Sequence, residues 1–161
     1  MALVLLALAA GPLAAAQARK GFGSDRLLWA TVNVCDTKAH PNTIGIRASM
    51  PGTESGREAM FMRIQAQYLS AEDRRWHNVP GEGDSRFLAL GSAEARARQK
   101  GRSIRIAPKT DRVLLRGMVT FEWRLRGEVV RRAHRRTHKG HRSNAGADPA
   151  GYSAANCTLR R

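Results

Sequence analysis

The chain has 161 residues, with 28 lysines and arginines against 13 aspartates and glutamates, and a formal net charge of +15. This length excludes the class of very small domains that need a metal to fold. A surface so rich in positive charge attracts anionic polymers or anionic cell-surface components, mainly through long-range forces that salt weakens.

Residues 1–16 are the most apolar stretch of the chain and run from Met1 through leucine, valine and alanine to Ala16. An apolar run of this length that ends in small residues is typical of a secretory signal peptide, and it is too short to span a bilayer core of about 30 Å. We therefore predict a signal peptide over 1–16, a lead-in over 17–25 and one domain over 26–161. The mature protein is expected to be secreted and to have no transmembrane segment. Retention of the apolar run as a weak anchor is the alternative.

Alternation of apolar and polar residues, which is the pattern of a half-buried β-strand, recurs along the rest of the chain. In the first such segment Leu28, Ala30, Val32 and Val34 occupy every second position. Turn residues such as Pro and Gly separate the segments. The predicted strands cover 27–36, 43–50, 58–70, 76–79, 86–90, 103–107, 113–125, a return strand from 129 onward, and 152–159.

Two segments depart from the strand pattern. Residues 92–100 begin at Ser92, which suits a helix N-cap, and end before Gly101, so they form the only helical-looking piece, although they lack an apolar stripe and a basic loop is the alternative. Residues 139–151 are a loop by composition. Strand parity further predicts that the large thioether and indole side chains lie in the core. They are Met50, Met60, Met62, Met118, Trp29, Trp76 and Trp123.

Seven or eight short strands with one alternating face each predict an all-β protein, an immunoglobulin-like antiparallel β-sandwich. The two cysteines, Cys35 and Cys157, lie in the first and last predicted strands. In an exported protein such a pair indicates a disulfide. The alternative makes Cys35 a nucleophile beside Asp36 and His40, but no cysteine-hydrolase signature surrounds it.

Three segments resemble small secreted Ig-like β-sandwich proteins of GC-rich Gram-positive bacteria. They are PNTIGIRASMPG at 41–52, VTFEWRLRGEVVRR at 119–132 and GADPAGYSAANCTL at 146–159. The resemblance covers most of the mature chain and consists of turns and strands. It implies a fold and a compartment, and it transfers no catalytic residue.

The stretch RRAHRRTHKGHR at 131–142 is the strongest local feature of the sequence. Its arginines could bind the phosphate or sulfate groups of a polyanion. The competing interpretation is an exposed strand edge whose charges prevent pairing with other sheets. The predicted polyanion-binding residues are Arg131, Arg132, Arg135, Arg136 and Arg142.

The histidines support weaker hypotheses. His134, His138 and His141 lie close together, but no thiolate or carboxylate within the stretch completes a metal shell, so we predict neither a metal nor a cofactor. We interpret the protein as a secreted noncatalytic binding module. The alternative is a small secreted basic hydrolase of nuclease type that uses His40, His77 or the later histidines as acid and base.

Overall fold

The computed structural model describes residues 24–161, so the predicted signal peptide and most of the predicted lead-in lie outside the described residues. Nine β-strands and two short 3₁₀ turns, Asp25–Leu27 and Gly81–Gly83, make up the regular structure, and these residues contain no α-helix. The prediction of an all-β sandwich is confirmed. The strands are β1 (Trp29–Cys35), β2 (Thr43–Pro51), β3 (Ala59–Leu69), β4 (Trp76–Asn78), β5 (Asp84–Ser92), β6 (Ala97–Arg105), β7 (Arg112–Leu125), β8 (Glu128–Arg136) and β9 (Asn156–Arg160).

The strands form two antiparallel sheets, one of three strands in the order β1-β2-β6 and one of six. In the larger sheet β4 and β5 pair with different lengths of β3, and β8 and β9 pair with different lengths of β7. The six strands therefore fill only four positions across the sheet. A sheet four strands wide packed on a sheet three strands wide is the arrangement of a seven-stranded immunoglobulin-type sandwich. Here two of the seven positions are each occupied by two short strands, which raises the number of strands to nine.

The core lies between the sheets and is built by the predicted alternation. Met60, Met62 and Ile64 of β3 are fully buried, as are Phe121 and Trp123 of β7. The indole Nε1 of Trp123 donates a hydrogen bond of 3.0 Å to the carbonyl of Pro51, which satisfies its polar atom inside the core.

Two sequence predictions about these elements are wrong. Residues 92–100 are not helical, because 93–96 form the turn between β5 and β6 and the rest belongs to those strands. Trp29, Trp76 and Met118 are only partly buried and point away from the core. On the outer faces of the sheets, Trp29 contacts His141 and Arg47, and Trp76 contacts Arg116.

The β8–β9 connection, residues 137–155, covers the edge and the outer face of the three-stranded sheet. Val32 of β1 exchanges backbone hydrogen bonds of 2.9 and 3.0 Å with Ala154, and Asp148 donates one of 2.9 Å to Asn33. The Thr31 hydroxyl lies 2.7 Å from that of Ser153. The segment predicted as a loop at 139–151 thus has a structural role, since it shields the edge of β1 from other strands.

The predicted disulfide is present between Cys35 at the end of β1 and Cys157 in β9, with the two Cα atoms 5.3 Å apart. Because β1 and β9 belong to different sheets, the bond joins the two layers of the sandwich. It also removes Cys35 as a free nucleophile, so the thiol interpretation is wrong.

Candidate functional site

The arginines of β8 do not share one face of the sheet. Arg131 is paired with the buried Trp123 of β7, so Arg131 and, by alternation, Arg135 lie on the side that faces the other sheet. Arg132 and Arg136 lie on the outer side. β8 has no second strand partner among the described residues, which makes it an edge strand.

Arg142 lies in a third place, in the β8–β9 connection. The ring of its neighbour His141 stacks on Trp29 with centroids 4.4 Å apart, and the His141 carbonyl accepts a hydrogen bond of 2.7 Å from Arg47. Because Trp29 and Arg47 belong to the outer face of the three-stranded sheet, Arg142 and Arg136 are on opposite sides of the sandwich. The five predicted arginines are therefore divided among three surfaces.

Two of these arginines already have carboxylate partners. Arg131 lies 3.2 Å from Asp25 and places its guanidinium 4.7 Å from the centre of the Trp123 ring. Arg132 donates a hydrogen bond of 2.7 Å to Glu122. Both guanidinium groups thus contribute to the fold, and each would have to give up or share a partner to bind an anion.

Glu122 is the centre of a charge network on the outer face of the larger sheet. Its side chain is 1% exposed and accepts hydrogen bonds from Arg132 and, at 2.8 Å, from Arg124. Burial alone would raise the pKa of Glu122, but the hydrogen bonds from the two arginines hold it below its ordinary value. Arg124 also packs over the rings of Phe61 and Phe87, at 4.1 and 5.0 Å.

Arg63 and Asp84 complete this part of the face with a two-point ion pair, in which Arg63 Nε donates to Asp84 at 2.9 Å. Three arginines here meet two carboxylates in close contact. We call this part of the outer face, near the β7–β8 turn, the paired half.

The other part of the same face carries arginines that form no ion pair with a carboxylate of the described residues. Arg112 of β7 lies directly opposite Arg160 of β9, and Arg136 of β8 lies diagonally across from Arg116 of β7. None of these four guanidinium groups has a carboxylate within salt-bridge distance in residues 24–161. We call Arg112, Arg116, Arg136 and Arg160 the open cationic surface.

Arg116 makes two side-chain contacts within this surface. Its guanidinium lies 4.2 Å from the centre of the Trp76 ring, and its Nε donates a hydrogen bond of 2.9 Å to Gln67, which in turn donates to Asn78. Burial and the nearby charge of Arg136 both lower the pKa of Arg116. The terminal nitrogens of Arg116 make no hydrogen bond to any described residue, so they remain available to an anion.

Sequence reasoning found one residue of this surface, Arg136, and missed Arg112, Arg116 and Arg160. The missed residues are scattered along β7 and β9 and form no run of charge. The signal that points to them is the parity of β7, since Arg112 and Arg116 occupy positions that alternate with the apolar set of Val113 and Leu115.

The histidines form pairs at separate places on the surface. His77 Nε2 lies 2.8 Å from Asp73, and His40 Nε2 lies 3.9 Å from Asp148. His134 bonds to the Thr120 hydroxyl at 3.0 Å. Within the described part of the chain, no serine, threonine or cysteine side chain bonds to the imidazole of His40 or His77. The Thr37 hydroxyl instead accepts a hydrogen bond of 3.2 Å from the His40 backbone N–H and donates one to Asp148.

His138 and His141 lie close together, with ring centroids 5.5 Å apart. Burial, together with the charges of His138 and Arg47, lowers the pKa of His141. Between residues 24 and 161 no three histidine, cysteine, aspartate or glutamate side chains converge as metal ligands.

Comparison of the chain with protein-family models, with curated proteins and with solved structures found no match. The described residues include no helix of the length and apolarity needed to cross a bilayer.

Proposed function

We propose that this protein is a secreted, noncatalytic β-sandwich module that binds anionic polymers through the open cationic surface. The observation that carries this proposal is the juxtaposition of like charges. Arg112 and Arg160 face each other across two strands, and Arg116 and Arg136 are diagonal neighbours. No carboxylate of residues 24–161 forms an ion pair with any of the four. Like charges in such positions destabilise a sheet, whereas an anion placed between them is attracted by both.

The dimensions of the surface suit a polymer better than a single small anion. Arg112 and Arg116 are four residues apart on β7, which corresponds to about 13 Å at about 3.3 Å per residue. Several charged groups of one chain could therefore be contacted together. Trp76 packs against Arg116 at the border of the surface and supplies an aromatic ring beside the cations.

The test measures how affinity for a fluorescent oligonucleotide, and for heparin, depends on salt. Four contacts should make log affinity fall with log salt at a slope of about −2.8 to −3.6, from about −0.7 to −0.9 per contact. Exchanging Arg116 and Arg136 for serine should remove about two contacts and roughly halve the slope. If the wild-type protein shows no salt-dependent binding to either polymer, the proposal is refuted.

The matched control is the exchange of Arg57 and Arg96 for serine. Both residues are exposed. Arg57 lies before β3, whose first residue Ala59 pairs with Arg124 at the end of β7 remote from Arg112, and Arg96 lies in the turn between β5 and β6. Their exchange changes the net charge by the same amount. An equal loss of slope in the two double variants would show that diffuse net charge, and not the open cationic surface, attracts the polymer. A third variant, in which Arg131 and Arg132 become serine, measures the part played by the β8 run.

The same titrations test the hydrolase alternative. A noncatalytic module leaves the oligonucleotide intact throughout the experiment. Cleavage that disappears when His40 or His77 is changed to alanine would replace the binding proposal by the hydrolase.

A further inference from the structure

A cleft of about 600 Å³ opens at one end of the sandwich, where the β3–β4 turn and the β6–β7 connection separate. This volume lies within the range of about 300–1,000 Å³ that is common for sites that bind small molecules. The walls are mostly apolar. The largest apolar side chains that line the cleft are Tyr68, Leu69, Val79, Ile106, Val113 and Leu115.

The apolar lining is a continuation of the core that no other side chain of residues 24–161 covers. Leu115 at its base is fully buried, whereas Tyr68, Val79, Ile106 and Val113 pack against the core but remain partly exposed. Apolar surface that stays in contact with water in this way is stabilised when a ligand with an apolar chain displaces the water.

The rim of the cleft carries an excess of positive charge. Among the described residues that line the cleft, Lys109 and Arg112 are basic and Glu72 is the one acidic residue, and all three are exposed. Neither Lys109 nor Arg112 forms an ion pair with any residue between 24 and 161. An apolar interior with Lys109 and Arg112 at its mouth is complementary to a molecule that has a hydrocarbon chain and an anionic head.

We propose that this cleft binds a single-chain anionic amphiphile, with its hydrocarbon chain among the apolar side chains and its head at Lys109 and Arg112. This is a second binding activity, distinct in ligand class from the attraction of anionic polymers. It shares only Arg112 with the open cationic surface.

The test is calorimetric titration of the protein with alkyl phosphates of increasing chain length, each kept below its critical micelle concentration. Every further CH₂ group that enters the cleft should tighten binding about fourfold, and the gain should cease once the chain fills the available length. Binding that does not depend on chain length, or no binding at all, would overturn the proposal.

Two variants locate the site. Ala71 is a small, exposed residue of the lining, so Ala71→Trp should fill the mouth without disturbing the core and should weaken binding of the longest alkyl phosphate at least tenfold. Unchanged affinity in Ala71→Trp, with a melting temperature equal to that of the wild type, would place the ligand elsewhere and refute the cleft.

The charge of the head is tested by an alkyl maltoside of the same chain length, which should bind more weakly and without salt dependence. Exchange of Lys109 and Arg112 for serine should reduce the affinity for the phosphate to that for the maltoside. The double exchange of Arg57 and Arg96 for serine, with the same change in net charge, should not. Equal affinity of the wild type for both detergents would overturn the assignment of an anionic head.

Discussion

The exchange Glu122→Gln tests whether the charge network of the paired half stabilises the fold. The variant keeps the shape of the side chain but removes the charge that Arg124 and Arg132 share. A hydrogen bond to a charged group contributes about 1.5–3 kcal/mol. Arg132 is 55% exposed and regains water when its partner is lost, so its share is small, and we expect a total loss of about 2–3 kcal/mol.

The dependence of this loss on pH distinguishes charge from packing. The folded pKa of Glu122 lies below its ordinary value of 4.5, so the stabilisation is fully present above pH 4.5 and is lost as the pH falls through the folded pKa. Wild type and variant should therefore differ at pH 7 and converge in acid. The other carboxylates titrate in both proteins, and their contributions cancel in the difference.

Urea unfolding at a series of pH values measures the free-energy difference between wild type and variant. In a separate thermal unfolding experiment at pH 7, the melting temperature of Glu122→Gln should be lower than that of the wild type by about 6–12 °C. Glu54→Gln is the control, because Glu54 is exposed and makes no ion pair with another described residue. The reasoning is refuted if Glu122→Gln is as stable as the wild type at pH 7, or if its deficit remains the same down to pH 3.

Two other outcomes concern the covalent and steric constraints of the sandwich. The disulfide between Cys35 and Cys157 closes a loop with a sequence separation of 122 residues. Its reduction should lower the free energy of unfolding by at most about 4–5 kcal/mol. Calorimetry should show a lower melting temperature, and an unchanged melting temperature would contradict the prediction. Gly52→Ala would place a Cβ 2.1 Å from the carbonyl oxygen of Ala95, and urea unfolding should show a loss of stability of about 1–3 kcal/mol or more. Gly101→Ala is the control and should be tolerated, because the nearest atom to its Cβ would be 3.4 Å away. Equal stability of the two variants would contradict the steric argument.

The alternation of residues predicted most of the strands because burial on one face imposes a period of two. The same rule fails at Trp29 and Trp76, where parity cannot tell the face toward the other sheet from the face toward solvent. Trp29 lies outside and is covered by His141, which is 112 positions away in the sequence and whose approach depends on the path of the β8–β9 connection. Such a path is set by long-range packing and leaves no local pattern.

The candidate surface illustrates a second limit of sequence reasoning. A run of arginines in one strand is divided by alternation between two faces, so Arg131 and Arg132 cannot contact the same part of a ligand. A surface of like charge is instead assembled across strands, as Arg116 of β7 and Arg136 of β8 show. Detecting it requires the register of the sheet, which the sequence alone does not specify.

The two halves of the outer face differ although one strand, β7, supplies arginines to both. Near the turn, Glu122 neutralises its neighbours and is buried by them, which is what stability favours. Further along β7, Arg112 lies opposite Arg160 and Arg116 lies diagonally across from Arg136, and the repulsion between these like charges lowers stability. A bound anion would relieve this repulsion, so under the proposed function these arginines are the positions at which an anionic ligand would stabilise the folded protein.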